Sequence, residues 1–205
     1  MSRRLLIIAT IAAGLTVVAI QLVMQRLASE PQALPASIHR VGKANEPLPT
    51  LWPVPSYRLV DQNGQTRTPE DLRGSVWIAD FIFTSCKSVC PVLSAKMVQL
   101  QRAIPDPRMK FVSFSVDPDR DTPQAVQAFS AAHGLGSNWF YLVGARAQLT
   151  PVWASYGIGV QAGSTTVTHN DAVYLIDARG RERLLLHSED LATALTSDLR
   201  ALLKS

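Results

Sequence analysis

From Ser56 onward, apolar positions fall into two rhythms that alternate along the chain. Short runs rich in β-branched and aromatic residues predict strands over residues 57–60, 76–83, 109–116, 139–143, 172–176 and 182–186. Between them, apolar residues recur at helical spacing. Val92, Leu93, Met97, Leu100 and Ile104 form one such stripe over residues 92–104, which Pro105 ends. Residues 122–133 predict a second helix, with Pro123 at its first position and Gly134 as its stop. Residues 149–156 and 190–203 predict two more, and Thr68-Pro69 opens a short capped turn ending at Leu72. Asp61-Gln62-Asn63-Gly64 is a turn signal after the first strand. Strands alternating with helices and closing on a hairpin predict an α/β domain over residues 56–205 whose central strands are largely buried.

The pattern changes ahead of that domain. Residues 5–24 are apolar except for Gln21, with Arg3 and Arg4 before them and Arg26 after. Twenty helical residues span about 30 Å, the thickness of a bilayer's hydrocarbon core. Residues 1–26 therefore predict an uncleaved membrane anchor, since a cleaved signal has a shorter apolar run and Ala28-Ser29 is a poor cleavage site. The arginine pair predicts a cytoplasmic N-terminus and a single pass through a bacterial inner membrane, with the rest periplasmic or extracytoplasmic. Residues 27–55 carry six prolines, Pro31, Pro35, Pro47, Pro49, Pro53 and Pro55, and predict a semi-rigid spacer. Leu51 and Trp52 could instead pack on the domain.

Composition narrows the class. With 47% hydrophobic residues among 205, the chain can build one sizeable core. The formal charge of +4 owes much to the N-terminus: without Arg3, Arg4 and Arg26, 17 basic residues face 16 acidic ones, a net of +1. Nothing in that balance asks for nucleic acid.

Both cysteines of the chain, Cys86 and Cys90, stand in the run Phe83-Thr-Ser-Cys-Lys-Ser-Val-Cys-Pro91, between a predicted strand and the helix that Pro91 is expected to open. They can pair with each other, share a metal, or stay apart. A disulfide across so short a loop would brace little of the chain, so the pair points to a task. A helix N-terminus and the neighbouring Lys87 both favour thiolate. Thiolate pairs suit soft metals and redox exchange.

The run from Asp80 to Pro91 resembles the signature of the Sco/SenC family. Phe114-Ser-Val-Asp-Pro-Asp-Arg-Asp-Thr-Pro123 is similar to that family's loop after the next core strand. Thr168-His-Asn-Asp-Ala-Val-Tyr-Leu-Ile-Asp177, with Gly180 beyond, is similar to its late histidine, strand and turn. The resemblance runs from about Tyr57 to the end. It implies a thioredoxin-like fold, a central mixed sheet flanked by helices, and a metallochaperone that hands copper to the dinuclear copper centre of a cytochrome c oxidase subunit. Cys86, Cys90 and His169 would be the metal ligands. Copper(I) takes thiolate readily and imidazole also suits copper, with copper(I), copper(II) or both left open as the form carried, whereas a structural zinc site would want a fourth protein ligand. A periplasmic copper donor or thiol reductant is an implied further partner.

A second expectation stays open beside it, an extracytoplasmic thiol–disulfide oxidoreductase that keeps oxidase copper-site cysteines reduced through the Cys86–Cys90 pair. Asp80, six residues before Cys86, resembles the buried carboxylate of thioredoxins, with a strand residue at a polar edge as the bland alternative. The three-residue cysteine spacing and Thr168-His169 in place of a proline depart from thioredoxins. A peroxidase fits less well, because Thr84 stands one residue too near Cys86. His39, His133 and His187 are expected to be structural. Thr122 and Asp121 are explained as a helix cap and its acidic neighbour. The resemblance places Asp117 near the metal face, to orient a ligand or meet a partner; Arg120 is free to touch Asp119 or a partner; Met97, Trp139, Tyr141 and Trp153 are expected in the core.

Overall fold

The computed structural model describes Gln21, residues 50–188, Leu191 and residues 195–204. The expected anchor (residues 1–26) and most of the spacer lie outside the described residues, and among the described residues no helix is long and apolar enough to cross a membrane.

The domain is built on a five-stranded sheet. A short antiparallel pair, β1 (Leu59–Val60) and β2 (Thr66–Arg67), precedes the central strand β3 (Val76–Ile82). Helix α1 (Val89–Ala103) leads to β4 (Met109–Ser115), α2 (Pro123–His133) to β5 (Trp139–Leu142), and α3 (Arg146–Ser155) to a hairpin of β6 (Val160–Ala162) and β7 (Val167–His169). Strands β8 (Val173–Ile176) and β9 (Glu182–Leu186) and helix α4 (Leu195–Lys204) complete the order. The main sheet runs β5-β4-β3-β8-β9, parallel from β5 to β3 and antiparallel from β3 to β9. Crossover helices α1 and α2 join the parallel strands, as parallel pairing requires. This is the expected thioredoxin-like arrangement with a mixed sheet.

All seven residues of β3 are buried, which is why its sequence is a near-continuous apolar run. Phe81 packs on Phe114, Tyr156 and Tyr174 on one face. Met97, Trp139, Tyr141 and Trp153 are core residues, as expected.

Several boundaries differ from the sequence expectation, each for a local reason. Helix α1 starts at Val89, so Cys90 lies inside its first turn and Pro91 is the third helical residue. Proline is tolerated there because the first-turn N–H groups have no intrahelical acceptor. Helix α3 starts at Arg146 instead of 149, helped by Gln148, whose side chain accepts the Ala145 N–H. Helix α4 is described from Leu195; the expected start at Asp190 falls outside the described residues. The β6–β7 hairpin was not expected, since its mostly exposed residues show no apolar alternation.

The chain before the domain is not all spacer. Leu51 N–H donates to the Glu182 carbonyl, Glu182 N–H to Trp52, and Val54 N–H to Gly180. Residues 51–54 thus form a strap on the outer edge of β9, covering backbone groups that an edge strand leaves open.

Candidate functional site

Strand β3 ends at Ile82, and the chain then crosses the C-terminal end of the sheet before entering α1. Cys86 sits in that crossing, half-buried, and Cys90 sits one helical turn on, with 2% of its surface exposed. Cys90 N–H donates to Cys86 Sγ at 3.4 Å, and Ser88 Oγ stands 3.8 Å from the same sulfur. Both thiols are free. Burial pushes the Cys86 thiol up, but hydrogen bonds from the Cys90 thiol, the backbone at Ser88 and Cys90 and the Ser88 hydroxyl outweigh it, and its pKa falls below the ordinary value. Those bonds carry the lowering. Cys90 moves the other way, raised first by burial and then by its bond to Cys86.

The loop before the cysteines is held by Asp121. Its Oδ1 accepts the Thr84 N–H at 3.0 Å and the Thr84 hydroxyl at 2.6 Å. Its Oδ2 accepts the Ser115 hydroxyl at 2.6 Å and the Tyr141 hydroxyl at 3.4 Å. Asp121 is buried, so its role is corrected from acidic neighbour of a helix end to latch of the thiol loop. Thr122 caps α2 as expected, its side chain accepting the Ala125 N–H. Asp117 is buried and bound to Arg120 at 2.6 Å, while Asp119 pairs with Arg146, so Arg120 takes neither Asp119 nor a position free of the chain.

His169 closes β7, half-buried. Its ring meets Phe83 edge to face at 6.0 Å. Its Nδ1 lies 3.0 Å from the Asn170 carbonyl. A carbonyl only accepts, so Nδ1 carries the proton and Nε2 keeps its lone pair. Burial lowers the His169 pKa, so the ring is neutral and able to ligate.

Cys86, Cys90 and His169 line one cleft of about 230 Å³, together with Phe83, Val167 and Asp171 among others. Among the described residues, no three His, Cys, Asp or Glu side chains stand close enough to share a metal ion in this conformation. His133 stacks on Phe129 and His187 contacts the Asp171 carbonyl, the structural roles expected of them; His39 lies outside the described residues.

Asp80 lies beneath the site in the middle of β3, fully buried, which excludes the polar-edge alternative. Neither carboxylate oxygen makes a hydrogen bond. Its register partner Ser113 accepts the Trp139 indole N–H. Burial pushes the Asp80 pKa up to about 7, with the Asp171 charge adding to the rise.

The SCO1/SenC family model matches residues 51–204. The chain belongs to the SCO1/SenC family. The SCO1 protein homolog of Bacillus subtilis (strain 168) is 33% identical over 140 residues, covering 65% of this chain and 72% of its own length. Among solved structures, BsSco, described as a member of the Sco family of cytochrome c oxidase assembly proteins with a disulfide switch, superposes with a TM-score of 0.68. It is 28% identical, over 77% of this chain and 97% of its own. Bradyrhizobium japonicum ScoI with copper bound gives a TM-score of 0.63 at 26% identity, over 72% of this chain and 98% of its own. The SCO1/SenC match begins at Leu51, where the strap on β9 begins.

The strap realises the expected packing of Leu51 and Trp52 on the domain, whereas the latch was the part least visible in the sequence. Asp121 and Thr84 are 37 residues apart, and no local pattern links them.

Proposed function

We propose that this SCO1/SenC protein is a copper metallochaperone that takes copper as cargo through Cys86, Cys90 and His169 and delivers it to the dinuclear copper centre of cytochrome c oxidase. The observation that carries the proposal is that these three side chains line the same cleft. Two sulfurs and a free imidazole Nε2 suit copper(I), and the hydrogen bond between the Cys90 and Cys86 thiols keeps the sulfurs together. Copper on the related ScoI and the assembly role of BsSco support the same reading. Bringing His169 to a metal shared with both sulfurs requires the β6–β7 hairpin and the thiol loop to approach. Residues 1–26 anchor the domain in a bacterial inner membrane and place it outside the cytoplasm. The spacer of residues 27–50 lets it reach a membrane-bound oxidase.

Titration of the reduced 205-residue chain with copper(I) against a competing chelator tests this. We expect one tightly held copper, more than about tenfold weaker in His169→Ala, a loss of about 1.4 kcal/mol or more, and no tight binding in Cys86→Ser or Cys90→Ser. Tight copper(I) binding retained in either serine variant would sink the ligand set.

Asp80 and the unequal thiols favour a second activity at the same site. In disulfide exchange the Cys86 thiolate attacks a partner disulfide and forms a mixed disulfide, releasing one partner thiolate. Cys90, once deprotonated, attacks Cys86 Sγ and releases the second. The dithiol loses two electrons and the partner disulfide gains them. A carboxylate with a pKa of about 7, close enough to act on Cys90 electrostatically, suits taking up the Cys90 proton. Equal rates of model-disulfide reduction by Asp80→Asn and the wild-type chain across pH 6–8 would remove this reading.

A further inference from the structure

The hairpin that carries His169 is tied to the protein at its feet. β6 and β7 pair with each other and not with the five-stranded sheet, so what fixes their base sets how far His169 reaches. Asn170, directly after His169 and on the surface, makes that attachment. Gly159 N–H donates to Asn170 Oδ1 at 2.7 Å, and Asn170 Nδ2 donates to the Gly157 carbonyl at 3.2 Å. Both glycines lie on the approach to β6, and Gly157 takes the left-handed turn (φ 63°) that leads out of α3. The amide therefore joins the two feet of the hairpin, and it needs both an acceptor and a donor to do so. The third contact is the Asn170 backbone carbonyl on His169 Nδ1.

We propose that Asn170 is a positioning residue of the metal site: its side chain clamps the hairpin's feet so that its own carbonyl holds the His169 Nδ1 proton and leaves Nε2 free to ligate. The idea rests on His169 being a copper ligand. A hydrogen bond to the distal nitrogen fixes ring orientation and tautomer in metal-binding histidines, and losing such a partner typically weakens metal affinity about 10- to 100-fold. An ordinary surface asparagine has no such reach, so the two roles separate cleanly in experiment.

The test is a four-way cycle on the reduced 205-residue chain: wild type, Asn170→Ala, His169→Ala and the double variant, each titrated with copper(I) against a chelator. We expect Asn170→Ala to bind about tenfold more weakly while its melting temperature stays close to wild type. In the His169→Ala background the same change should add nothing. An equal loss in both backgrounds, or unchanged affinity in Asn170→Ala, would overturn the inference while leaving His169 as a ligand. No loss in His169→Ala would sink the ligand assignment itself, and this inference with it. Independently of copper, ¹⁵N-histidine NMR of the metal-free chain should show His169 as the Nδ1–H tautomer in the wild type and as a mixture in Asn170→Ala. An unchanged tautomer in Asn170→Ala would count against the clamp.

Discussion

Cys86 and Cys90 stand four positions apart, yet the fold gives their thiols opposite tendencies. Cys86 collects hydrogen bonds that favour its thiolate, while Cys90 is sealed inside the first turn of α1. Thiolate is the reactive form, so the difference is directly measurable. With limiting iodoacetamide at pH 7 on the metal-free, reduced chain, label should collect on Cys86 in more than about tenfold excess over Cys90. Its rate should reach half-maximum below pH ~8.5, where an ordinary thiol titrates. Peptide mapping reads both, and equal labelling would contradict the assignment of Cys86 as the attacking sulfur. Asp121 makes this geometry durable, because it holds the backbone and hydroxyl of Thr84 two residues before Cys86. A side chain accepting from Thr84, Ser115 and Tyr141 at once ties β4, β5 and the thiol loop into one unit. Its neighbour Thr122, with a purely local bond to Ala125, is the cap that sequence chemistry already describes.

Elements differ in how much of them sequence rhythm reveals, and the strap on β9 shows why. Its three backbone hydrogen bonds go to Glu182 and Gly180, about 130 residues away, through main-chain groups that carry no side-chain signature. A chain beginning at residue 56 would lack it. Three backbone bonds are worth about 1 kcal/mol each, and each kcal/mol moves the melting point of a domain this size by about 2–4 °C. Removal of residues 1–55 should thus lower the melting temperature by about 6–12 °C relative to a chain beginning at residue 48. Equal melting points would show the strap to be inert. The core strands and all four helices were legible because burial writes a periodicity into their sequence: β3 is buried throughout and its pattern is continuous. The β6–β7 hairpin has exposed faces and short strands, so no periodicity marked it, although His169 at its end was picked out by its motif. The cysteine pair and histidine were legible as residues; their arrangement around one cleft, the latch and the hairpin clamp depend on contacts that only the folded chain makes.

Across the whole molecule, buried carboxylates set how stability follows pH. Asp80 and Glu182 are each raised by burial to about 7, so the folded chain holds their protons more tightly than the unfolded chain does. The sign follows from linkage: a native state that binds more protons loses stability as pH rises. The loss begins near pH 4, where unfolded carboxylates titrate, and is complete above about pH 7. Asp177 acts in the opposite direction. Burial raises its pKa, but bonds from Arg181, Arg183 and the backbone at Arg179 and Arg181 outweigh that, and it ends below the ordinary value. Its contribution is present above pH ~4 and fades as pH falls through its folded pKa. Asp80→Asn removes one of the groups that penalise high pH, which also include Glu182 and the burial-raised Asp121. The full shift corresponds to about 4 kcal/mol, and a buried amide without a partner keeps part of that cost. We therefore expect the variant to be more stable than wild type by about 2 kcal/mol at pH 8 and no more stable at pH 4. Urea unfolding of the reduced, metal-free chains at both pH values measures the difference. A variant equal to or weaker than wild type at pH 8 would mean that Asp80 has a partner in solution that stabilises its charge. Retained residual pH dependence is expected, since Glu182 still titrates. In the proposed disulfide exchange Asp80 takes up the Cys90 proton, so the stability at pH 8 and the disulfide-reduction rate of Asp80→Asn should move in opposite directions.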